Sequence, residues 1–272
     1  RVQMTDGDGG TSFPVTVTVT VTAVNDPPVI GGTAAVGPYV EDAAPLPVAP
    51  GATVADPDSP AFASGTLSVS LAAGGEASDV LAVAASGRLG LAGGQLSWDG
   101  TVFGTVSGGS GPATPLVVLL DGDASQEAVQ GLLRSLVFEA RSQHPSDAIR
   151  TVRLRLADGA GGMSADVDVA VSVERVNDPP TAAPAELQVN PSTVNAILAE
   201  NLRFTDADEP PAGSLEATIT ALPSAGVLTV AGAVASVGTR FTWAQVLAEQ
   251  VRYQAPATEG PRSLAFTLSD GV

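Results

Sequence analysis

One spacing constrains this 272-residue chain more than any other: the same ordered set of motifs returns after 152 residues. Thr5-Asp6-Gly7-Asp8-Gly9-Gly10 recurs as Ala157-Asp158-Gly159-Ala160-Gly161-Gly162. Val15, Val17, Val19 and Val21, alternating with Thr, recur as Val167, Val169, Val171 and Val173. Val24-Asn25-Asp26-Pro27-Pro28 recurs as Val176-Asn177-Asp178-Pro179-Pro180, with no gap between the copies. A further Leu268-Ser269-Asp270-Gly271 echoes Leu156-Ala157-Asp158-Gly159. Self-similarity at a fixed offset marks tandem units, each touching mainly its neighbours.

The physics of the unit follows from its motifs. Period-2 alternation over residues 15–21 predicts a strand with one apolar and one polar face. The Asp-Gly turn before it supplies a tight hairpin connection. Asn-Asp-Pro-Pro after it ends the strand, because proline donates nothing to a ladder and stiffens the backbone. Three segments result: residues 1–26 as the closing strands of a truncated unit, 27–178 as a complete unit, and 179–272 as a shorter unit lacking its last strand. The third is shorter between its Asp-x-Asp pair and its Asp-Gly turn: 64 residues separate Asp206 from Asp270, against 102 from Asp56 to Asp158.

Within the middle unit, strand patterns fall at 66–71, 80–84, 95–98, 102–106, 116–120, 137–138 and 152–156. A helix is predicted from about 125 to 136, with Ala128, Val129, Leu132, Leu133 and Leu136 on one stripe and Asp123 and Gln126 as a capping box. Frequent Gly and Pro (51 together) among β-branched runs, with 44% hydrophobic residues, fit folded β-domains rather than disorder. The expected fold is all-β: tandem Greek-key sandwiches in a linear array, with one short helix in the middle domain.

Composition removes most chemistry. With no Cys there are no disulfides, thiol nucleophiles or Cys-ligated zinc, and the 12 basic residues are all Arg, so Lys chemistry is absent too. A net charge of -17 disfavours nucleic acid as a partner. No apolar run approaches the ~20 residues of a membrane helix, and no signal peptide opens the chain. Ser107-Gly108-Gly109-Ser110-Gly111 precedes Pro112 and a strand, so it reads as a hairpin loop rather than a nucleophile elbow. His144, beside Pro145, reads as a loop residue, with Asp147 its nominal orienting partner in a triad. Glu127 sits on the exposed helix face, which argues against a glycosidase pair with Glu139. Trp98 and Trp243 read as core anchors before sugar platforms. The chain is expected to be non-enzymatic.

EDxxPL, DPD, GTLSVSL, SGGSG, LLRSLVFE, LADGxGG and VNDPP occur in that order over residues 1–178. Together they resemble the cadherin-like extender repeats of large bacterial repeats-in-toxin-type adhesins. Residues 181–272 are similar to the repeat of chondroitin-sulfate proteoglycan and Fraser-type matrix proteins, through Leu202/Asp206/Asp208, Pro223/Gly226/Leu228 and Phe241/Thr242/Val251/Tyr253. The cadherin resemblance implies that the sandwiches are Ig/cadherin-like, with Ca²⁺ at the domain junctions. Its ligands would be Glu41, Asn25, Asp26, Asp56, Asp58 and Asp158 at the first junction. At the second they would be Asn177, Asp178, Asp206, Asp208 and Asp270. Asp6 matches the turn aspartate of the first unit. The internal D-R-E or L-D-x-E element is missing and the linkers read NDPP rather than DxNDN. Both changes subtract carboxylates, which implies one weakly held ion per junction, in the ~10⁻⁴–10⁻³ M range of extracellular modules. The calcium nonapeptide GGxGxDxUx is absent.

The expected role is a calcium-stiffened spacer of a secreted cell-surface adhesin, exported by a type I route and contacting neighbouring repeats of its own chain. A direct glycan- or matrix-protein-binding module is the alternative. The Thr16, Thr18 and Thr20 face leans toward the spacer.

Overall fold

Alternation of apolar and polar side chains decides which face of each strand turns inward. In Thr66–Ala73, for example, Leu67, Val69 and Leu71 point in and the residues between them out. The computed structural model describes residues 1–183, 185–208 and 214–271, and the chain is all-β.

The middle segment opens with Val29–Gly31 (β1), Val36–Val40 (β2), Leu46–Pro47 (β3) and Thr53–Ala55 (β4). Thr66–Ala73 (β5), Asp79–Val83 (β6), Leu89–Ala92 (β7) and Gln95–Trp98 (β8) follow. Thr101–Ser107 (β9), Leu116–Leu120 (β10) and the helix Gln126–Arg134 (α1) lead to Leu136–Ala140 (β11), Arg150–Ala157 (β12) and Val167–Glu174 (β13). One sheet runs β2-β13-β12-β5-β10-β9-β8-β7, antiparallel except for the parallel β13–β2 contact. A second runs β3-β11-β6, and β1 pairs with β4. Leu67, Val69, Leu154 and Phe103 of the large sheet share one core with Leu81 and Phe138 of the small one. That is a sandwich.

Helix α1 buries Ala128, Val129, Leu132 and Leu133 in this core. Its cap differs from the predicted box. Ser125 is the N-cap, its hydroxyl accepting from the Ala128 amide, while the Gln126 side chain turns away to another task described below. Gly131 is required at its place, since a Cβ there would stand 2.2 Å from the Trp98 ring. Arg150 is fully buried, its guanidinium held by the equally buried Asp79 (3.1 Å) and by the carbonyls of Ser146 and Ala148.

The third segment contains Thr181–Ala182 (β14), Val194–Ala196 (β15), the helical turn Ala199–Leu202 (α2) and Phe204–Thr205 (β16). Glu216–Ala221 (β17), Val227–Val230 (β18), Ala233–Val234 (β19) and Arg240–Thr242 (β20) come next. The helix Trp243–Leu247 (α3), Val251–Gln254 (β21) and Ala265–Ser269 (β22) complete it. Two sheets, β15-β21-β18-β19 and β20-β17-β22, enclose a separate core that includes Ile219, Leu228, Phe241 and Val251. The one short helix expected in the middle segment is α1, and the third segment adds α2 and α3. Helix α3 carries a full capping box, with Thr242 accepting from the Gln245 amide and the Gln245 side chain accepting from the Thr242 amide. The T-W-A-Q sequence is its legible signal.

Residues 1–26 correct a second expectation. Isolated bridges join Val2 to Val15 and Thr5 to Thr11, but residues 15–21 form no strand. A strand exists only against a neighbour. Among the described residues none pairs with residues 16–26, and Val15, Val17, Val19 and Val21 are exposed. No described helix is long and apolar enough to cross a membrane.

Candidate cation sites at the linkers

Each Asn-Asp-Pro-Pro linker lies between an Asp-x-Asp loop and an Asp-Gly turn, and backbone geometry brings the three together. At the first linker, the Asn25 amide donates to Asp158 Oδ2 (2.8 Å), and the Asp26 backbone N–H donates to Asp58 Oδ2 (2.9 Å). At the second, Asn177 donates to Asp270 Oδ2 (2.8 Å) and the Asp178 N–H to Asp208 Oδ2 (2.6 Å). The two linkers share one bonding plan although the third segment is shorter.

The turn aspartate explains half of this plan. Asp158 Oδ1 accepts from the amides of Ala160 (2.7 Å), Gly161 and Gly162 (each 3.0 Å), an Asx-type closure that leaves Oδ2 facing the linker. Burial acts to raise the Asp158 pKa, but the Asn25 amide and these backbone donors outweigh it and hold the carboxyl below its ordinary value. Asp6 closes its own turn similarly, accepting from Asp8 and Gly10. Gly162 is the residue sequence reading missed. A Cβ there would meet Asp158 Oδ2 at 2.2 Å, Asn25 Nδ2 at 2.8 Å and Pro27 Cα at 2.8 Å, so only glycine lets the linker lie down.

The Asp-x-Asp loop supplies the other half. Asp56 Oδ1 accepts from the amides of Asp58 (3.2 Å) and Ser59 (3.0 Å), and Asp206 Oδ1 from Asp208 (3.0 Å). The first loop is pinned from outside by Gln126, at the start of α1, which donates to the carbonyls of Asp56 (2.6 Å) and Ser59 (2.9 Å). This positioning contact carries no sequence motif.

Glu41, expected among the ligands of the first junction, lies instead at the second linker, because the end of β2 runs beside the end of β13. One of its oxygens accepts from the Val176 amide (2.9 Å). Burial raises its pKa above the usual carboxylate range, and the charges of Asp208, Asp178 and Asp42 push the same way against that hydrogen bond. Burial likewise raises Asp56, helped by its neighbour Asp58.

Four carboxylate oxygens at these places are buried with no hydrogen-bond partner: Glu41 Oε1, Asp56 Oδ2, Asp178 Oδ2 and Asp206 Oδ2. A buried, unpartnered anionic oxygen is costly, and a cation is its natural complement. The donor set is all oxygen, which fits a hard divalent ion such as Ca²⁺. No three Asp, Glu or His side chains among the described residues are already gathered as a finished metal-ligand group. The linkers are instead fastened by amide donors, with the orphan oxygens left over. A cavity of about 520 Å³ adjoins the second linker, lined by Asp178, Asp206, Thr181, Thr205 and Gln143.

The other candidate residues sit elsewhere. Ser107 ends β9, and Gly108, Gly109 and Gly111 take positive φ in the hairpin to β10. His144 is exposed beside Arg175 (3.2 Å), and Glu127 is exposed and paired with Arg88. Trp98 packs on the first core with Arg88 over its face (4.6 Å), and Trp243 lies against Phe204 (5.0 Å between centroids).

Residues 179–272 match the model of a cadherin-like family. A search of curated proteins returned no match.

Proposed function

We propose that the chain is a non-enzymatic spacer of an extracellular adhesin, and that Ca²⁺ at the linkers stiffens the succession of sandwiches. The observation that carries this reading is the repeated bonding plan of linker, Asp-x-Asp loop and Asp-Gly turn, with unpartnered carboxylate oxygens at both places. The second linker is the stronger candidate, because Glu41, Asp178 and Asp206 each contribute such an oxygen there. A bound ion would offset the mutual repulsion of these acids and tie Glu41 of one sandwich to Asp206 and Asp208 of the next.

Cadherin-like character supports an adhesion or extender module. The bacterial repeats-in-toxin-type setting, type I export and the proteoglycan-type character of the last segment rest on resemblance. Among the described residues Phe13 is the one aromatic that is largely exposed, so no sugar-stacking face supports the direct-binding alternative. Isothermal calorimetry with CaCl₂ tests the proposal. The chain is expected to bind with a Kd of ~10⁻⁴–10⁻³ M, and Glu41→Gln with Asp178→Asn to weaken the second site at least tenfold. Absence of both heat and a Ca²⁺-dependent melting shift would refute it.

A further inference from the structure

The second linker is short of oxygen donors. Glu41, Asp178 and Asp206 each hold one buried, unpartnered carboxylate oxygen there, whereas Ca²⁺ takes about six to eight oxygens. The neighbouring Asp208 already accepts from the Asp178 amide through Oδ2. A further acid would add to the repulsion among these groups. A neutral oxygen would extend the set without that cost.

Gln143, in the loop between β11 and β12, stands where such an oxygen is needed. Its side chain lines the cleft of about 520 Å³ beside this linker, together with Asp178, Asp206, Thr181 and Thr205. Its Nε2 donates to Asp42 Oδ1 (2.9 Å), on the residue that follows Glu41. A carboxylate can only accept, so Asp42 fixes which end of the amide faces it and turns Gln143 Oε1 away from itself. Among the described residues nothing donates to that Oε1. The loop is anchored on both sides of Gln143. Before it, the Arg141 amide donates to the Ser78 carbonyl (3.2 Å). After it, Glu76 accepts from the Ser146 amide (2.9 Å), and the buried Arg150 donates to the carbonyls of Ser146 and Ala148. His144 lies 3.2 Å from Arg175, two residues before Asn177 of the linker. A donor on a loop so held is pre-organised.

We propose that Gln143 Oε1 is a further ligand of the divalent cation at the second linker. The inference rests on the calcium reading above. Asp42 is then a positioning residue, holding the amide by its nitrogen, and its own carboxylate stays out of the ligand set. The middle sandwich grips the ion from two elements, the end of β2 through Glu41 and the β11–β12 loop through Gln143. The buried Arg150–Asp79 pair supports the second of these from within the core.

Titration calorimetry with CaCl₂ on the 272-residue chain and its variants is the test. Gln143→Ala should weaken the binding step that Glu41→Gln also weakens, by about tenfold, as one contact to a charged group is lost. Gln143→Glu keeps an oxygen at that place and should bind at least as tightly as the unaltered chain. In chelator, Gln143→Ala should melt as the unaltered chain does, since the side chain is exposed, so lost affinity is not lost folding. Equal weakening by Gln143→Glu and Gln143→Ala would mean that Gln143 acts only through its bond to Asp42, and overturns the proposal. So does an affinity unchanged in Gln143→Ala while Glu41→Gln lowers it. Either outcome leaves the calcium reading standing, whereas an unaltered chain that binds no Ca²⁺ overturns both together.

Discussion

At the scale of single residues, the linkers are fastened by a division of labour within each carboxylate. One oxygen of Asp158 closes its own turn, and the other holds Asn25. One oxygen of Asp56 or Asp206 shapes its loop, and the other is buried without a hydrogen-bond partner. Sequence reading placed Asn25 and Asn177 among oxygen donors to a metal, yet their amide nitrogens donate to Asp158 and Asp270. The backbone N–H groups of Asp26 and Asp178 act likewise, and backbone donors leave no trace in residue identity. Gly162→Ala tests this scale. Its Cβ overlaps Asp158, Asn25 and Pro27, so the linker should lift off, at a cost of about 1–3 kcal/mol from strained packing and lost hydrogen bonds to a charged group. Urea unfolding would read the loss, and Gly161→Ala, with open space at its Cβ but φ +112, separates backbone strain from crowding. Gln126→Ala should cost about 1–2 kcal/mol, since two loop carbonyls lose their partner.

Among elements, legibility follows how much of a strand's fate is local. β8 and β10 match their predicted bounds, because alternation and turn residues both mark them. Residues 15–21 carry the same alternation and form no strand, since pairing depends on a neighbour that pattern alone does not supply. Arg150 was legible by parity: it shares the inward face of β12 with Val152, Leu154 and Leu156. Its neighbours Arg153 and Arg155 face out and pair with Asp168 and Asp166. What sequence hid was the partner, Asp79, 71 residues away. Asp79→Ala removes the fully buried carboxylate from Arg150, leaving the guanidinium only Glu76 (3.3 Å) as a charged partner, and should cost up to about 3–5 kcal/mol. Thermal melting would show it, whereas Asp168→Ala, breaking an exposed pair, should cost under about 1 kcal/mol.

For the whole molecule, recurrence of one bonding plan at two linkers is what sequence repetition foretold most directly, and acid–base behaviour should report on it. Glu41 and Asp56 have raised folded-state pKa values, so with no cation they favour folding at low pH and lose that contribution as pH rises through those values. Asp158, held low, contributes above the ordinary carboxylate range of about 4 and loses it as pH falls below. In chelator, melting temperature should therefore rise as pH is lowered from 7 and fall again below about 4. Saturating Ca²⁺ should remove the rise, and Glu41→Gln should shrink it. The most direct test of calcium stiffening is small-angle X-ray scattering of the chain with Ca²⁺ and with chelator. A larger, narrowly distributed maximum dimension with Ca²⁺, collapsing to a broad distribution in chelator, is the predicted result; identical profiles in the two conditions would contradict it.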